Sequence, residues 1–189
     1  AREHRGGRQS KDGKDGFGTE KLRFQSLALP VLTDLYHLTH KQNKFRIRRK
    51  WLNQLTPLSL AVWWFDDGSL IADSRQGVFC TDGFEFEQVK ILDRYMKKVW
   101  GIAMTISRVN QTDQYRLYIR STESLQKFLR IILPHVPVAS MLPKVLMLYN
   151  DSELQQRWIS EVEALSPFSR EVIKQHLMLK RQKWKRYRE

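Results

Sequence analysis

The stretch Thr56-Pro-Leu-Ser-Leu-Ala-Val-Trp-Trp-Phe-Asp-Asp-Gly68 decides the fold of this chain, because it predicts a buried helix that ends in two carboxylates. Thr56 is a favourable N-cap residue, and Pro57 suits the first helical position. Residues 58–65 are apolar around almost the whole circumference, which predicts burial on every side. Gly68 is expected in the left-handed conformation that commonly ends a helix.

Asp66 and Asp67 therefore fall at the C-terminal end of this helix, where the helix dipole is already negative. That position is unfavourable for a carboxylate by roughly 0.3–1 kcal/mol. A nearby cation would offset the cost, and a divalent metal ion is one candidate. The alternative is that both carboxylates turn into solvent and open an Asp-Gly turn. This stretch alone leaves both interpretations open.

Downstream of Gly68 the apolar pattern alternates between the periods of strands and of helices. Strand patterns cover 69–73, 77–81, 102–107 and 115–120, and amphipathic helix patterns cover 86–99 and 121–133. The order predicts an α+β fold, an αββαββα unit in which a four-stranded antiparallel sheet carries helices on one face.

The other face of this sheet is polar, and we expect nucleic acid to lie against it. Its side chains, with those of the first hairpin tip, are Arg75, Gln76, Thr105, Ser107, Arg116, Tyr118 and Arg120. A two-stranded ribbon fits the major groove of DNA, where outward side chains reach base edges and phosphates. The alternative is a solvated face, which is common in antiparallel sheets.

The charge of the chain agrees with a nucleic-acid partner. Lys and Arg number 33 against 20 Asp and Glu, which gives a net charge of +13 and a pI near 10.0. Arg46 and Arg48 belong to one basic cluster. Lys183 and Arg186 belong to another, interleaved with aromatic residues that suit stacking on bases; a solvated tail is the alternative. No apolar run reaches the length of a membrane span.

The segment Leu60-Ala-Val-Trp-Trp-Phe-Asp-Asp-Gly68 resembles the signature helix of the LAGLIDADG homing endonucleases and maturases. The order of the later segments 77–89, 115–119 and 134–144 resembles a repeat of that family as well. The resemblance runs from about residue 22 to residue 145 and is similar to the second repeat of a single-chain member. It divides the chain into a basic flexible arm or hairpin (1–21), the end of a first repeat with its linker (22–55), the repeat itself (56–148) and a basic helical C-terminal extension (149–189).

The resemblance also implies a chemistry. It assigns metal binding and catalysis to Asp67, a supporting role at the metal to Asp66, and a catalytic positive charge to Lys144. The implied activity is Mg²⁺-dependent hydrolysis of a long duplex DNA site. Where family members often carry Thr-Gln-Ser, this chain reads Thr81-Asp82-Gly83. Asp82 is therefore expected to bring a third carboxylate near the metal.

Cleavage of both DNA strands needs two signature helices, and this sequence contains one. We expect the second repeat to come from a missing N-terminal half or from a homodimer partner. Alternatively, the chain is a catalytically inactive protein that binds structured RNA, either an intron-splicing factor or a component of a ribonucleoprotein such as a ribosome. Arginine outnumbers lysine and asparagine is scarce, which favours a nuclear-encoded protein of a mitochondrion or chloroplast. The sequence leaves the choice between enzyme and binding protein open.

Overall fold

The computed structural model describes residue 25 and residues 27–186, so the predicted arm at 1–21 lies outside the described residues. The α-helices are, in chain order, α1 (Pro30–Thr39), α2 (Arg49–Leu52), α3 (Pro57–Asp67), α4 (Phe86–Tyr95), α5 (Thr122–Ile132), α6 (Ser152–Leu165) and α7 (Arg170–Arg186). The strands are β1 (His40–Lys41), β2 (Lys44–Phe45), β3 (Gly68–Ile71), β4 (Gln76–Phe79), β5 (Thr105–Arg108) and β6 (Tyr115–Ile119). From α3 to α5 the order is the predicted αββαββα.

Helix α3 begins where the sequence predicts. Thr56 Oγ1 accepts a hydrogen bond from Ser59 N at 3.3 Å, and Ser59 Oγ accepts one from Thr56 N at 3.1 Å. This reciprocal pair is a capping box, which satisfies two backbone donors that the first turn leaves free. Pro57 occupies the first turn, where its missing N–H costs nothing.

Gly68 ends α3, but the predicted left-handed conformation is wrong. Its φ of −86° and ψ of 154° are extended, and it is the first residue of β3. Glycine is required here because a side chain would clash with Trp64. A Cβ would lie 2.3 Å from Trp64 Cε3 and 2.7 Å from Trp64 O. The absence of a side chain therefore lets the strand leave the helix directly beneath the indole ring of Trp64.

The sheet formed by β3 to β6 is antiparallel throughout, as predicted, and its strand order is β3-β4-β6-β5. Across the strands, Ser69 pairs with Val78, Val78 with Tyr118, and Tyr118 with Thr105. Since residues in register point to the same side of a sheet, this row defines the open face. The neighbouring positions Phe79 and Leu117 point to the opposite face and are fully buried.

One hydrophobic core lies between the sheet and α3, α4 and α5. Trp64, Phe79 and Phe128 form its centre, with ring centroids 5.1–5.3 Å apart in edge-to-face arrangements. Helix α4 continues into a π-helical turn, Met96–Trp100, and stops at Gly101, whose φ of 65° is left-handed.

Helix α3 is not buried on every side, and that prediction is wrong for the described chain. Leu60 and Trp64 are fully buried, whereas Leu58 is 53% and Val62 61% exposed. Leu58 and Val62 are four residues apart and so share one side of the helix. An apolar side of α3 therefore faces away from the core.

Both C-terminal helices pack into the same core. Trp158 and Val162 of α6, and Ile173 of α7, have almost no exposed surface. At the other end of the described chain, α1 has no buried residue. The core is therefore completed from the C-terminal side.

Candidate nucleic-acid interface

The predicted catalytic residues meet at the C-terminal end of α3. Asp66 and Asp67 are exposed there. Lys144 Nζ donates hydrogen bonds to Phe65 O at 2.7 Å and to Asp66 O at 3.1 Å, two carbonyls at the helix end. The ammonium of Lys144 thus provides a cation where the helix dipole is negative. It offsets part of the cost of placing two carboxylates at this position.

The carboxylates of Asp66 and Asp67 are a small donor set for a metal. Within the described residues, no group of three or more His, Cys, Asp or Glu side chains could hold a metal ion. Mg²⁺ is nevertheless often bound through one or two carboxylates together with water and substrate phosphates. The two exposed carboxylates therefore fit an ion that is shared with a nucleic-acid phosphate.

Asp82 does not join these carboxylates as an additional free acid. Its Oδ1 and Oδ2 each accept a hydrogen bond of 2.8 Å from the guanidinium of Arg116, from Nε and Nη2 respectively. The hydrogen bonds that Arg116 donates to Asp82, together with the negative charge of that carboxylate, raise the pKa of Arg116. Both members of this bidentate pair are partly buried. The cation that Asp82 binds is therefore Arg116. The guanidinium of Arg116, which we predicted to contact nucleic acid, is occupied by this carboxylate.

Four of the other predicted contact residues cluster on the open sheet face. The guanidinium of Arg120 lies 4.4 Å from the ring centroid of Tyr118. Its Nη1 donates to Gln76 Oε1 and its Nη2 to Ser107 Oγ, both at the long distance of 3.4 Å. Bonds this long are weak, so the Arg120 fork is readily redirected to a phosphate or a guanine edge.

Thr105 and Arg75 border this cluster on opposite sides. Thr105 pairs with Tyr118 in the sheet, and its side chain is exposed. Arg75 is exposed at the turn between β3 and β4, where its carbonyl accepts a hydrogen bond from Thr122 Oγ1 at 3.4 Å. The result is a polar surface, and Arg75 is its exposed arginine at the turn. The other residues of this surface are Gln76, Thr105, Ser107, Tyr118 and Arg120.

Arg46 and Arg48 are engaged elsewhere in the fold. Arg48 Nη2 donates to Leu38 O at 2.5 Å and to His37 O at 3.2 Å, so it caps the end of α1. Arg46 forms an ion pair with Glu85, whose pKa it lowers mainly through the side-chain hydrogen bond. These contacts give no support to the prediction that the two arginines bind nucleic acid.

The basic C-terminal cluster is divided between surface and interior. Lys183 is exposed on α7, while the side chain of Arg186 lies outside the described part of the chain. Lys180 is partly buried, and its Nζ donates to Pro143 O at 2.7 Å and to Leu146 O at 2.6 Å. Burial lowers the pKa of Lys180 to about 7. Its spacing from Ile173 and Leu177 places it on the apolar stripe of α7, which is the sequence signal for this inward position.

Comparison with known proteins defines the family. The LAGLIDADG DNA endonuclease family matches residues 4–128, well over half of the chain, so this protein belongs to that family. The chain is 27% identical over 131 residues to the cytochrome b mRNA maturase bI2 of Saccharomyces cerevisiae, covering 66% of this chain and 30% of the maturase. It is 31% identical over 82 residues to the Debaryomyces hansenii protein of the same name, covering 43% of this chain and 30% of that protein.

A solved structure shows the same fold. The homing endonuclease I-WcaI bound to its DNA recognition sequence matches with a TM-score of 0.55 and 24% identity, over 61% of this chain and 52% of that one. The chain spans less than a third of the length of the two maturases it matches. Within the described residues, no helix is long and apolar enough to cross a membrane.

Proposed function

We propose that this chain provides one half of a divalent-metal-dependent endonuclease that hydrolyses phosphodiester bonds in a long duplex DNA site. The observation that carries the proposal is the end of α3. There Asp66 and Asp67 are exposed beside Lys144, whose ammonium caps the same helix end. Paired carboxylates next to a fixed cation suit phosphoryl chemistry, which depends on positioning and on stabilising developing negative charge.

The proposed roles follow the positions of the residues. Arg75, Gln76, Ser107 and Arg120 hold the duplex by its phosphates and base edges. Asp67, supported by Asp66, would hold Mg²⁺, which when bound activates water and stabilises charge on the phosphate. Lys144 keeps the end of α3 in place and maintains a positive charge beside the carboxylates.

The proposal includes a second repeat of the same fold as partner. Leu58, Val62 and Asp66 succeed one another at intervals of four along the exposed side of α3. An apolar helix side with a carboxylate at its end suits a matching helix, and that contact would bring a second acidic pair close to the first. Whether this repeat is part of the same polypeptide or a second copy is decided by the native length of the protein.

A second candidate function is binding of structured RNA without cleavage. It is favoured by the bidentate contact of Asp82 with Arg116, which removes a carboxylate from the acidic centre. It is also favoured by the relatives, both of which are named mRNA maturases. Because those relatives act on cytochrome b mRNA by name, we propose an organellar location for either function.

The experiment that separates the two functions begins with the protein isolated at its native length. The copurifying nucleic acid is sequenced, and any enriched duplex is incubated with Mg²⁺ and with either the unchanged protein or Asp67→Asn. A duplex that is cut, and that is spared by Asp67→Asn, supports the endonuclease. Recovery of one structured RNA, bound equally by both proteins and with no duplex cut, favours the second function.

A further inference from the structure

The segment Pro143–Met147 is held in place by side chains from distant elements. Its first two residues, Pro143 and Lys144, end the 3₁₀ helix Ala139–Lys144, and its last three belong to no helix or strand. Five consecutive carbonyls accept side-chain hydrogen bonds: Lys180 Nζ donates to Pro143 O at 2.7 Å and Leu146 O at 2.6 Å, Trp64 Nε1 to Lys144 O at 2.9 Å, Trp158 Nε1 to Val145 O at 3.2 Å, and Gln155 Nε2 to Met147 O at 3.2 Å.

Among these donors, Lys180 binds two of the five carbonyls. Its two acceptors, the carbonyls of Pro143 and Leu146, lie on either side of Lys144 along the chain. Lys144 itself reaches away from α7, and its ammonium donates to Phe65 O and Asp66 O at the end of α3. The backbone that carries Lys144 is therefore attached to α7 by Lys180 and to α3 by Trp64.

The two carbonyls that accept hydrogen bonds from Lys180 belong to residues with little contact with solvent. Leu146 is fully buried, and Pro143 is partly buried. A buried carbonyl that loses its donor costs about 1–3 kcal/mol, so removal of the Lys180 amine favours a rearranged segment. Because Lys144 lies between the two acceptors along the chain, we expect such a rearrangement to displace its ammonium from Asp66.

We propose that Lys180 is a positioning residue, which fixes the Pro143–Leu146 segment so that the Lys144 ammonium stays at the end of α3 beside Asp66 and Asp67. The consequence for cleavage rests on the proposed function, whereas the positioning itself does not. Lys180 acts through Lys144 and through no contact with nucleic acid, although it belongs to a cluster of otherwise surface-directed basic residues.

The test compares Lys180→Met, which keeps the aliphatic stem but no donor, with Lys180→Arg, which retains donors. Lys174→Met is the control, since Lys174 is exposed on the same helix. Positioning is measured by amide hydrogen exchange of Val145 and Leu146 and by the ¹⁵N signal of the Trp64 indole. Function is measured as kcat and KM on the duplex, and as the salt dependence of binding.

We expect Lys180→Met to speed exchange at both amides, shift the Trp64 signal and lower kcat about tenfold or more at unchanged KM, since small displacements in an active site are costly. Lys180→Arg restores a large part of each readout, and Lys174→Met changes none. Unchanged exchange and an unchanged Trp64 signal in Lys180→Met would overturn the proposal. So would a weaker salt dependence of binding, which marks a lost phosphate contact.

The two proposals fail in different ways. If the unchanged protein cuts no duplex, the proposed function fails, and the exchange rates and the Trp64 signal alone decide the role of Lys180. If Lys180→Met unfolds, Lys180→Arg decides in its place: an unshifted Trp64 signal and normal exchange support positioning by two donors, and a shifted signal contradicts it.

Discussion

At the residue scale, Gly68 is constrained by the indole ring of Trp64. A Cβ at position 68 would lie 2.3 Å from Trp64 Cε3, and Trp64 is fully buried with its Nε1 bonded to Lys144 O. We expect Gly68→Ala to lower the free energy of unfolding by about 1–3 kcal/mol through overpacking. Gly83→Ala is the matched control, because a Cβ there meets nothing within 4 Å. Equal stability of both variants by urea denaturation would contradict the steric argument.

Lys180 gives the second prediction at this scale. Burial lowers its pKa from 10.5 to about 7 in the folded chain. Between these values the unfolded chain binds a proton that the folded chain does not, so the free energy of unfolding rises with pH in this window. The gain is at most about 1.4 kcal/mol per pH unit.

Urea denaturation of the unchanged protein and of Lys180→Met across the window measures this effect. We expect the difference in unfolding free energy between the two proteins to shift in favour of the unchanged protein as pH rises from about 7 towards 10.5. Lys174→Met, exposed on the same helix, is expected to follow the unchanged protein. A constant difference would mean that Lys180 titrates alike in both states.

At the scale of elements, the contact between Asp82 and Arg116 joins the loop after β4 to β6. Asp82→Asn removes the charge that holds the Arg116 fork. We expect the freed guanidinium to reach a phosphate, which would steepen the salt dependence of duplex binding by about 0.9 per added contact. Asp113→Asn makes the same charge change in the exposed pair with Arg108. If both variants steepen the dependence equally, net charge and not Arg116 is responsible.

We expect helix α7 to contribute both to nucleic-acid binding and to the hydrophobic core, and two truncations separate these roles. A stop after Gln182 removes Lys183 and the basic residues beyond it, and we expect unchanged stability with a shallower salt dependence of nucleic-acid binding. A stop after Ser169 also removes Ile173 and Leu177, which are buried in the core. Since burying one such side chain contributes about 1.5–3 kcal/mol, this second truncation is expected to destabilise the fold. Urea denaturation and binding titrations distinguish the two roles.

Local patterns in the sequence predicted the elements of this fold well, because each pattern lies within its own element. The N-cap of α3 at Thr56 and the alternation in β5 and β6 both depend on near neighbours. The site was less predictable. Arg116 contacts Asp82 across 34 residues, and Lys180 contacts Pro143 across 37. Sequence spacing does not encode such contacts, so basic residues that serve the fold looked like ligands for phosphate.

At the scale of the whole molecule, the exposed side of α3 predicts association. Val62 is 61% exposed in the described chain, next along the helix to Leu58 at 53%. If a second repeat covers this side, Val62→Asp places a charge in an apolar contact, where burial without a partner is costly. We therefore expect Val62→Asp to weaken self-association of the 189-residue chain and to leave its free energy of unfolding as a monomer almost unchanged.

Sedimentation over a range of protein concentrations measures this association. Val99→Asp is the matched control, because Val99 is 47% exposed and lies in the π-helical turn after α4, outside α3. Val62→Asp is expected to sediment as a monomer at concentrations where the unchanged chain and Val99→Asp form dimers. Monomers of all three proteins at every concentration would contradict association through α3, and the second acidic pair would then have to come from a repeat within a longer polypeptide.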